Sequence, residues 1–157
     1  MIANIRVHDS GYSRPLCQLD LMKFTEEQVR DRMHERGIDD DSFFICGFED
    51  WGVDTIMSLC EAYYLKKCIN ELYDGDDFIV IYQLKKHQSP SFIISHYYIF
   101  KTKDELEMMQ QLLRGVDSDK LIQLFFSSQS WVGLFNQYIE AGYILNTSKG
   151  FYELVNK

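Results

Sequence analysis

Gly142-Tyr-Ile-Leu-Asn-Thr-Ser-Lys-Gly-Phe-Tyr-Glu-Leu-Val-Asn156 holds two short apolar runs, Tyr143 to Leu145 and Phe151 to Val155, around the polar tetrapeptide Asn146-Thr147-Ser148-Lys149. Gly150 closes the tetrapeptide. Glycine reaches positive φ without steric cost, so a hairpin loop of four or five residues is expected here. Phe151, Glu153 and Val155 alternate with Tyr152 and Leu154, the period of a strand. The chain is therefore expected to end in antiparallel sheet.

The upstream sequence supplies the rest of an α+β fold. Ile2 to Val7 and Leu16 to Leu21 read as strands separated by a loop, Asp9 to Pro15. Thr25-Glu26-Glu27-Gln28 is a capping box that opens a helix ending near Gly37. Ser42 to Phe48 is an apolar strand, and Glu49-Asp50-Trp51-Gly52 is the turn after it. Ser58-Leu-Cys-Glu61 is a second capping box; its helix runs to about Tyr73 and stops at Gly75. Phe78 to Leu84 reads as a strand, with a buried helix as the rival, and Ser91 to Phe100 as another, so that 78–100 forms a hairpin. Thr102-Lys-Asp-Glu105 is a third capping box, with a helix to about Arg114. Asp117 or Ser118, and then Ser130, cap two further helices. Short helices on small antiparallel sheets follow, divided into a subdomain over residues 1–75 and another over 76–157.

Charge narrows the function more than fold does. The chain of 157 residues carries a formal net charge of −8. Residues 1–77 hold 17 acidic and 8 basic side chains, and residues 78–157 hold 7 and 8. An acidic surface repels nucleic-acid phosphates, so direct DNA binding is not expected, whereas a basic protein surface is a suitable partner. The candidate contact residues are Asp39, Asp40, Asp41, Glu49, Asp50, Asp54, Glu61, Glu71, Asp74, Asp76 and Asp77. Several also serve as caps and turn residues, Glu61 and Asp74 to Asp77 among them. The same net charge suits an ordinary soluble domain.

No catalytic, cofactor or metal motif stands out. There is no Gly-x-Ser-x-Gly, no phosphate-cradling glycine loop, and no ligand spacing among His8, His34, His87 and His96. Asp39-Asp40-Asp41 lacks the spacing and closing Glu of a calcium loop. Cys17, Cys46, Cys60 and Cys68 read as free thiols of a reducing cytoplasm. The first residues lack a signal pattern and no apolar run has membrane-spanning length, so a cytoplasmic, non-enzymatic protein without cofactors is expected.

The terminal hairpin, Ile2-Ala3-Asn4, Leu19-Asp20-Leu21 before Phe24-Thr25-Glu26-Glu27, Phe43 to Asp50, and Ser58-Leu-Cys-Glu61 together resemble the ArdA-type antirestriction family in order and spacing. The likeness covers both ends and is loose over Asp74 to Asp119. It implies an elongated, curved fold that dimerises and, as a DNA mimic without catalysis, occupies the DNA-binding groove of type I restriction–modification enzymes. Glu49, Asp50, Asp54, Glu61 and Glu71 would then form the mimic surface, and homodimerisation becomes an option for this chain. The sequence departs from the family in its lower acidity, in its near-neutral second half, and in Ala62-Tyr-Tyr-Leu-Lys-Lys67, where the family tends towards Leu, Asn and Glu. Those departures suit a relative retooled for another target, such as a CRISPR effector, with Trp51, Tyr63 and Tyr64 as aromatic anchors. The alternatives are core packing for those rings, and an interaction module with an unrelated partner.

Overall fold

The computed structural model describes residues 1–155. Among them lie seven short helices and two small antiparallel sheets, an α+β fold. The chain forms two compact units, Met1–Ser95 and a second beginning at His96. The division thus falls twenty residues beyond the one expected at residue 75.

The first unit is built on a four-stranded sheet of order β2-β1-β3-β4. Strand β1 (Ile2–Asp9) turns directly into β2 (Tyr12–Asp20). The expected loop is reduced to Ser10 and Gly11, both at positive φ (38° and 94°), the conformation of a tight hairpin turn. Helix α1 (Glu26–Glu35) follows its capping box, with Gln28 N donating to Thr25 Oγ1 and Thr25 N to Gln28 Oε1. Strand β3 (Phe43–Phe48) pairs with β1, and through the Glu49–Gly52 turn with β4 (Val53–Met57), a strand the sequence did not announce. Helix α2 (Leu59–Leu72) opens on the Ser58–Glu61 box. Ala3, Ile5 and Val7 of β1 are buried, as are Val29 and Met33 of α1 and Leu59, Ala62, Leu65 and Ile69 of α2. These belong to the unit's hydrophobic core, apart from Val7.

Residues 78–100 are corrected by the structure. Phe78–Lys85 is a helix, α3, and Pro90–Ser95 is a short helix, α4. The 78–84 run is apolar apart from Gln83 because α3 buries Ile79, Val80, Gln83 and Leu84 together, a pattern that does not distinguish helix from strand. Ser89 Oγ accepts from Phe92 N (3.2 Å) and Pro90 sits in the first turn, so Ser-Pro starts a helix here. Val80, Leu84 and Ile93 join the first core, which carries the unit's boundary past residue 75.

The second unit has a three-stranded sheet of order β5-β7-β6, made from β5 (Tyr98–Thr102), β6 (Ile144–Thr147) and β7 (Gly150–Leu154). The terminal hairpin is present, with a tighter turn than expected: Thr147 pairs with Gly150, leaving only Ser148 and Lys149 between the strands. Thr147 Oγ1 lies 2.7 Å from Gly150 O, which accepts its hydrogen bond. A Cβ on Gly150 would come within 2.7 Å of Thr102 O on β5, so this position requires glycine. Helices α5 (Glu105–Leu113), α6 (Ser118–Ser128) and α7 (Trp131–Glu140) lie between β5 and β6 in the chain. Their N-caps are Asp104, Asp117 and Ser130. The expected Thr102 cap is instead the buried end of β5, whose hydroxyl donates to the Glu107 carboxylate.

Candidate partner-binding surface

The acidic positions are all in the first unit, and its topology sorts all but Glu61 and Glu71, which lie on α2, into two groups. Asp39, Asp40 and Asp41 precede β3, while Glu49 and Asp50 follow it, with Asp54 just inside β4. Six residues of extended chain separate the groups by about 20 Å. A hydrogen bond from Trp51 Nε1 to Asp77 Oδ2 (2.8 Å) joins the Glu49–Gly52 turn to the Asp74–Asp77 turn. That end of the unit therefore gathers Glu49, Asp50, Asp74, Asp76 and Asp77.

Many of these carboxylates already have structural work. Asp40 accepts from Arg30 Nη1 (2.8 Å) and lies 3.2 Å from His34 Nε2; hydrogen bonding and charge from Arg30, with less from His34, hold its carboxyl below the ordinary value. Arg30 also binds Glu26, and its guanidinium is shifted up, chiefly by that hydrogen bond. Asp50 lies 2.6 Å from the Met1 ammonium and accepts from Ile2 N (2.7 Å). Burial raises the Asp50 pKa, but the ammonium and the amide outweigh it, and the net shift is downward. Asp76 accepts from Phe78 N (2.9 Å), and Glu61 closes the α2 capping box. Glu71 is 3.9 Å from Lys67. Glu49 is exposed, with one long bond from Asn4 Nδ2 (3.4 Å). Asp39, Asp41, Asp54 and Asp74 are exposed, and their carboxylates make no hydrogen bond or ion pair among the described residues.

The aromatic anchors divide. Trp51 is 5% exposed, its ring 4.5 Å from Phe48, so it is a core residue and no partner contact. Tyr63 is half-buried and donates to Phe24 O (2.9 Å); burial, then the nearby Glu26 charge, push its phenol up to about 12. Tyr64 is 50% exposed and available. Beside Tyr63, Lys66 Nζ donates to Leu21 O (2.7 Å) and Phe24 O (3.1 Å) and lies 5.2 Å from the Tyr63 ring centroid. The Lys66–Tyr63 pair pins the connection between β2 and α1. Sequence reading missed this clasp, because its acceptors are backbone carbonyls some forty residues earlier.

All four cysteines are free thiols. Among the described residues, no helix is long and apolar enough to cross a membrane. Comparison with protein-family models, with curated proteins and with solved structures finds no match to this chain.

Proposed function

We propose that this protein is a non-catalytic anti-defence inhibitor, similar in kind to ArdA, that blocks a host type I restriction–modification complex by occupying its basic nucleic-acid-binding surface. The observation that carries this reading is the unengaged acidity of the first unit. Its residues 1–95 hold 17 acidic and 10 basic side chains, and the carboxylates of Asp39, Asp41, Asp54 and Asp74 are exposed without partners among the described residues. Two acidic groups about 20 Å apart span a distance over which duplex DNA presents about a dozen phosphates. Carboxylates in that arrangement would satisfy the target's Lys and Arg directly, and binding would weaken as salt rises.

The test is phage plating in cells that carry a type I restriction system or a programmed CRISPR nuclease, with and without the protein. Rescue against restriction, lost when Asp39, Asp41 and Asp54 are together changed to Lys, is the expected result. Rescue against the CRISPR nuclease alone would transfer the same mechanism to that effector. Rescue in neither strain, with folded protein present, would overturn the reading for both systems.

A further inference from the structure

Strand β2 is an edge of the first sheet, and between it and α1 lies a groove of about 210 Å³. Cys17 and Leu19 line its β2 side, and Val29, Arg32, Met33 and Arg36 its α1 side. Positions 29, 32, 33 and 36 recur at the spacing of one helix face, so α1 sets both arginines along its buried Val29–Met33 stripe. Gln18 also borders the groove, although its side chain is tied to Asn4 on the opposite face of the sheet. What Gln18 brings here is its main chain.

That main chain is open. Met1 O accepts from Leu21 N and Ile2 O from Glu49 N, so odd residues of β1 bond towards β2 and even ones towards β3. Cys17 and Leu19 stand opposite Ile5 and Ala3 and are bonded to them. Gln18 stands opposite Asn4, and its N–H and C=O point out along the sheet edge. No other backbone group among the described residues takes them up. Such an edge is a template for a further strand. The two arginines are open as well. The unit's other arginines, Arg6, Arg14 and Arg30, are held by Ser13, by Asp9, and by Glu26 with Asp40. Arg32 and Arg36 make no hydrogen bond or ion pair among the described residues, although Asp31, Glu35 and Asp39 are close in sequence. The Arg32 guanidinium is steadied over the Phe24 ring, 5.0 Å from its centroid. Burial pushes the Cys17 thiol up and the Arg36 charge draws it partly back, so Arg36 reaches towards the β2 wall.

We propose that this groove takes an extended acidic peptide, added as a strand to the edge of β2. In peptide sites of that kind, main-chain bonds give affinity and alternate side chains give specificity. A peptide residue bonded to Gln18 turns its own side chain to the Asn4 face. The residues on either side of it turn theirs towards α1, about 7 Å apart. Arg32 and Arg36 are about 6 Å apart along the helix axis and meet them. Carboxylates at those two positions supply the missing partners, and their stems cover Val29 and Met33. The groove does not admit a helix, which is about 10 Å across. A nucleic-acid strand is a poor occupant, because residues 1–95 carry a net charge of −7 and two cations make no track for a phosphate backbone.

Amide chemical shifts of the full chain test this. The probes are the blocked peptide acetyl-Ser-Glu-Val-Glu-Ser-amide, its Gln-Val-Gln analogue, the first peptide N-methylated at Val, and a thymidine pentanucleotide. The expected result is saturable shifts at residues 16–20 and 29–36 with the Glu peptide, and slowed exchange of the Gln18 amide. The Gln analogue should bind roughly tenfold more weakly, as the loss of two exposed charge pairs requires. N-methylation removes the donor that faces Gln18 O and should abolish the shifts. Arg32→Gln combined with Arg36→Gln, both at exposed positions, should weaken the Glu peptide roughly tenfold and leave the Gln analogue unchanged, with the spectrum still dispersed. No shifts at millimolar Glu peptide would overturn the proposal. So would equal affinity for the Gln analogue, undiminished binding of the N-methylated peptide, or tighter binding of the oligonucleotide. The inhibitor reading does not depend on the outcome.

Discussion

The two units divide apolar burial and charge unequally. The first sets nineteen buried residues into one core and carries nearly all of the excess acidity. The second has a core of four, Met108, Phe135, Ile144 and Phe151, and holds 7 acidic and 6 basic side chains. It leaves large apolar groups on its surface: Phe126 is 76% exposed, Val132 62% and Ile122 54%. A surface rich in like charge repels itself, and only a core large enough to offset that repulsion can carry it. The acidity therefore sits where the packing can sustain it. The chain's two tryptophans, Trp51 and Trp131, fall one in each unit, so fluorescence can follow the units separately.

The most damaging single change should be in the first core. Leu65 is fully buried, and Leu65→Ala should cost about 2–5 kcal/mol through lost burial and the cavity left behind. Urea unfolding in a Trp131→Phe background, followed through Trp51, measures it. A loss under about 1 kcal/mol would mean that the core of the first unit is no better packed than that of the second.

Next in size is the clasp. Lys66→Met keeps the aliphatic stem but removes charge-assisted bonds to two backbone carbonyls at 3.1 Å or less, which should cost about 1.5–3 kcal/mol in the same assay. Tyr63 reports on the same place. Its folded pKa is raised to about 12, above the ordinary phenol value near 10. Its contribution is thus complete below about pH 10 and is lost as pH rises towards 12. Absorbance titration should find a tyrosine ionising near 12 that disappears in Tyr63→Phe. A Tyr63 that ionises near 10 would mean that the clasp is open.

Elements with local signals were legible in the sequence. Thr25–Gln28 and Ser58–Glu61 cap their helices as read, because a capping box needs only four consecutive residues. The terminal hairpin is legible for the same reason. Strand β4 escaped notice because only Val53 and Met57 are buried, while Asp54 and Ile56 are exposed, so its alternation is weak. Helix α3 was misread because its run is too apolar to show a period, and α4 because six residues are too few to show one. At the candidate surface, acidic character was legible residue by residue, but employment was not. Nothing near Asp50 in the sequence says that it faces the Met1 ammonium, nor anything near Asp77 that it holds Trp51.

Asp50 gives a smaller effect with a definite pH signature. Its folded pKa is lowered, so its contribution is present above the unfolded carboxylate value near 4 and fades as pH falls through the folded one. Asp50→Asn should cost at most about 1 kcal/mol at neutral pH, as expected of a partly exposed pair, and the difference from the parent should vanish in acid. A gap that persisted once the carboxylate is fully protonated would assign the effect to shape rather than charge.

The smallest effect sharpens the comparison most. Helix α6 is eleven residues long and carries Leu121, Ile122, Leu124, Phe125 and Phe126, yet none of its residues is buried. Isolated helices of that length are marginal in water, so α6 depends on its packing against neighbours such as Trp131, 4.8 Å from the Phe125 ring. Phe126 is 76% exposed, so its removal should expose little new surface. Phe126→Ser should therefore change the stability of the second unit by no more than about 0.5 kcal/mol, read through Trp131 in a Trp51→Phe background. Ile144→Ala in the same background is the contrast, with a cost of about 2–5 kcal/mol, because Ile144 is fully buried. Equal costs for the two would mean that α6 carries core weight and that the second unit's core extends well beyond the cluster of Met108, Phe135, Ile144 and Phe151.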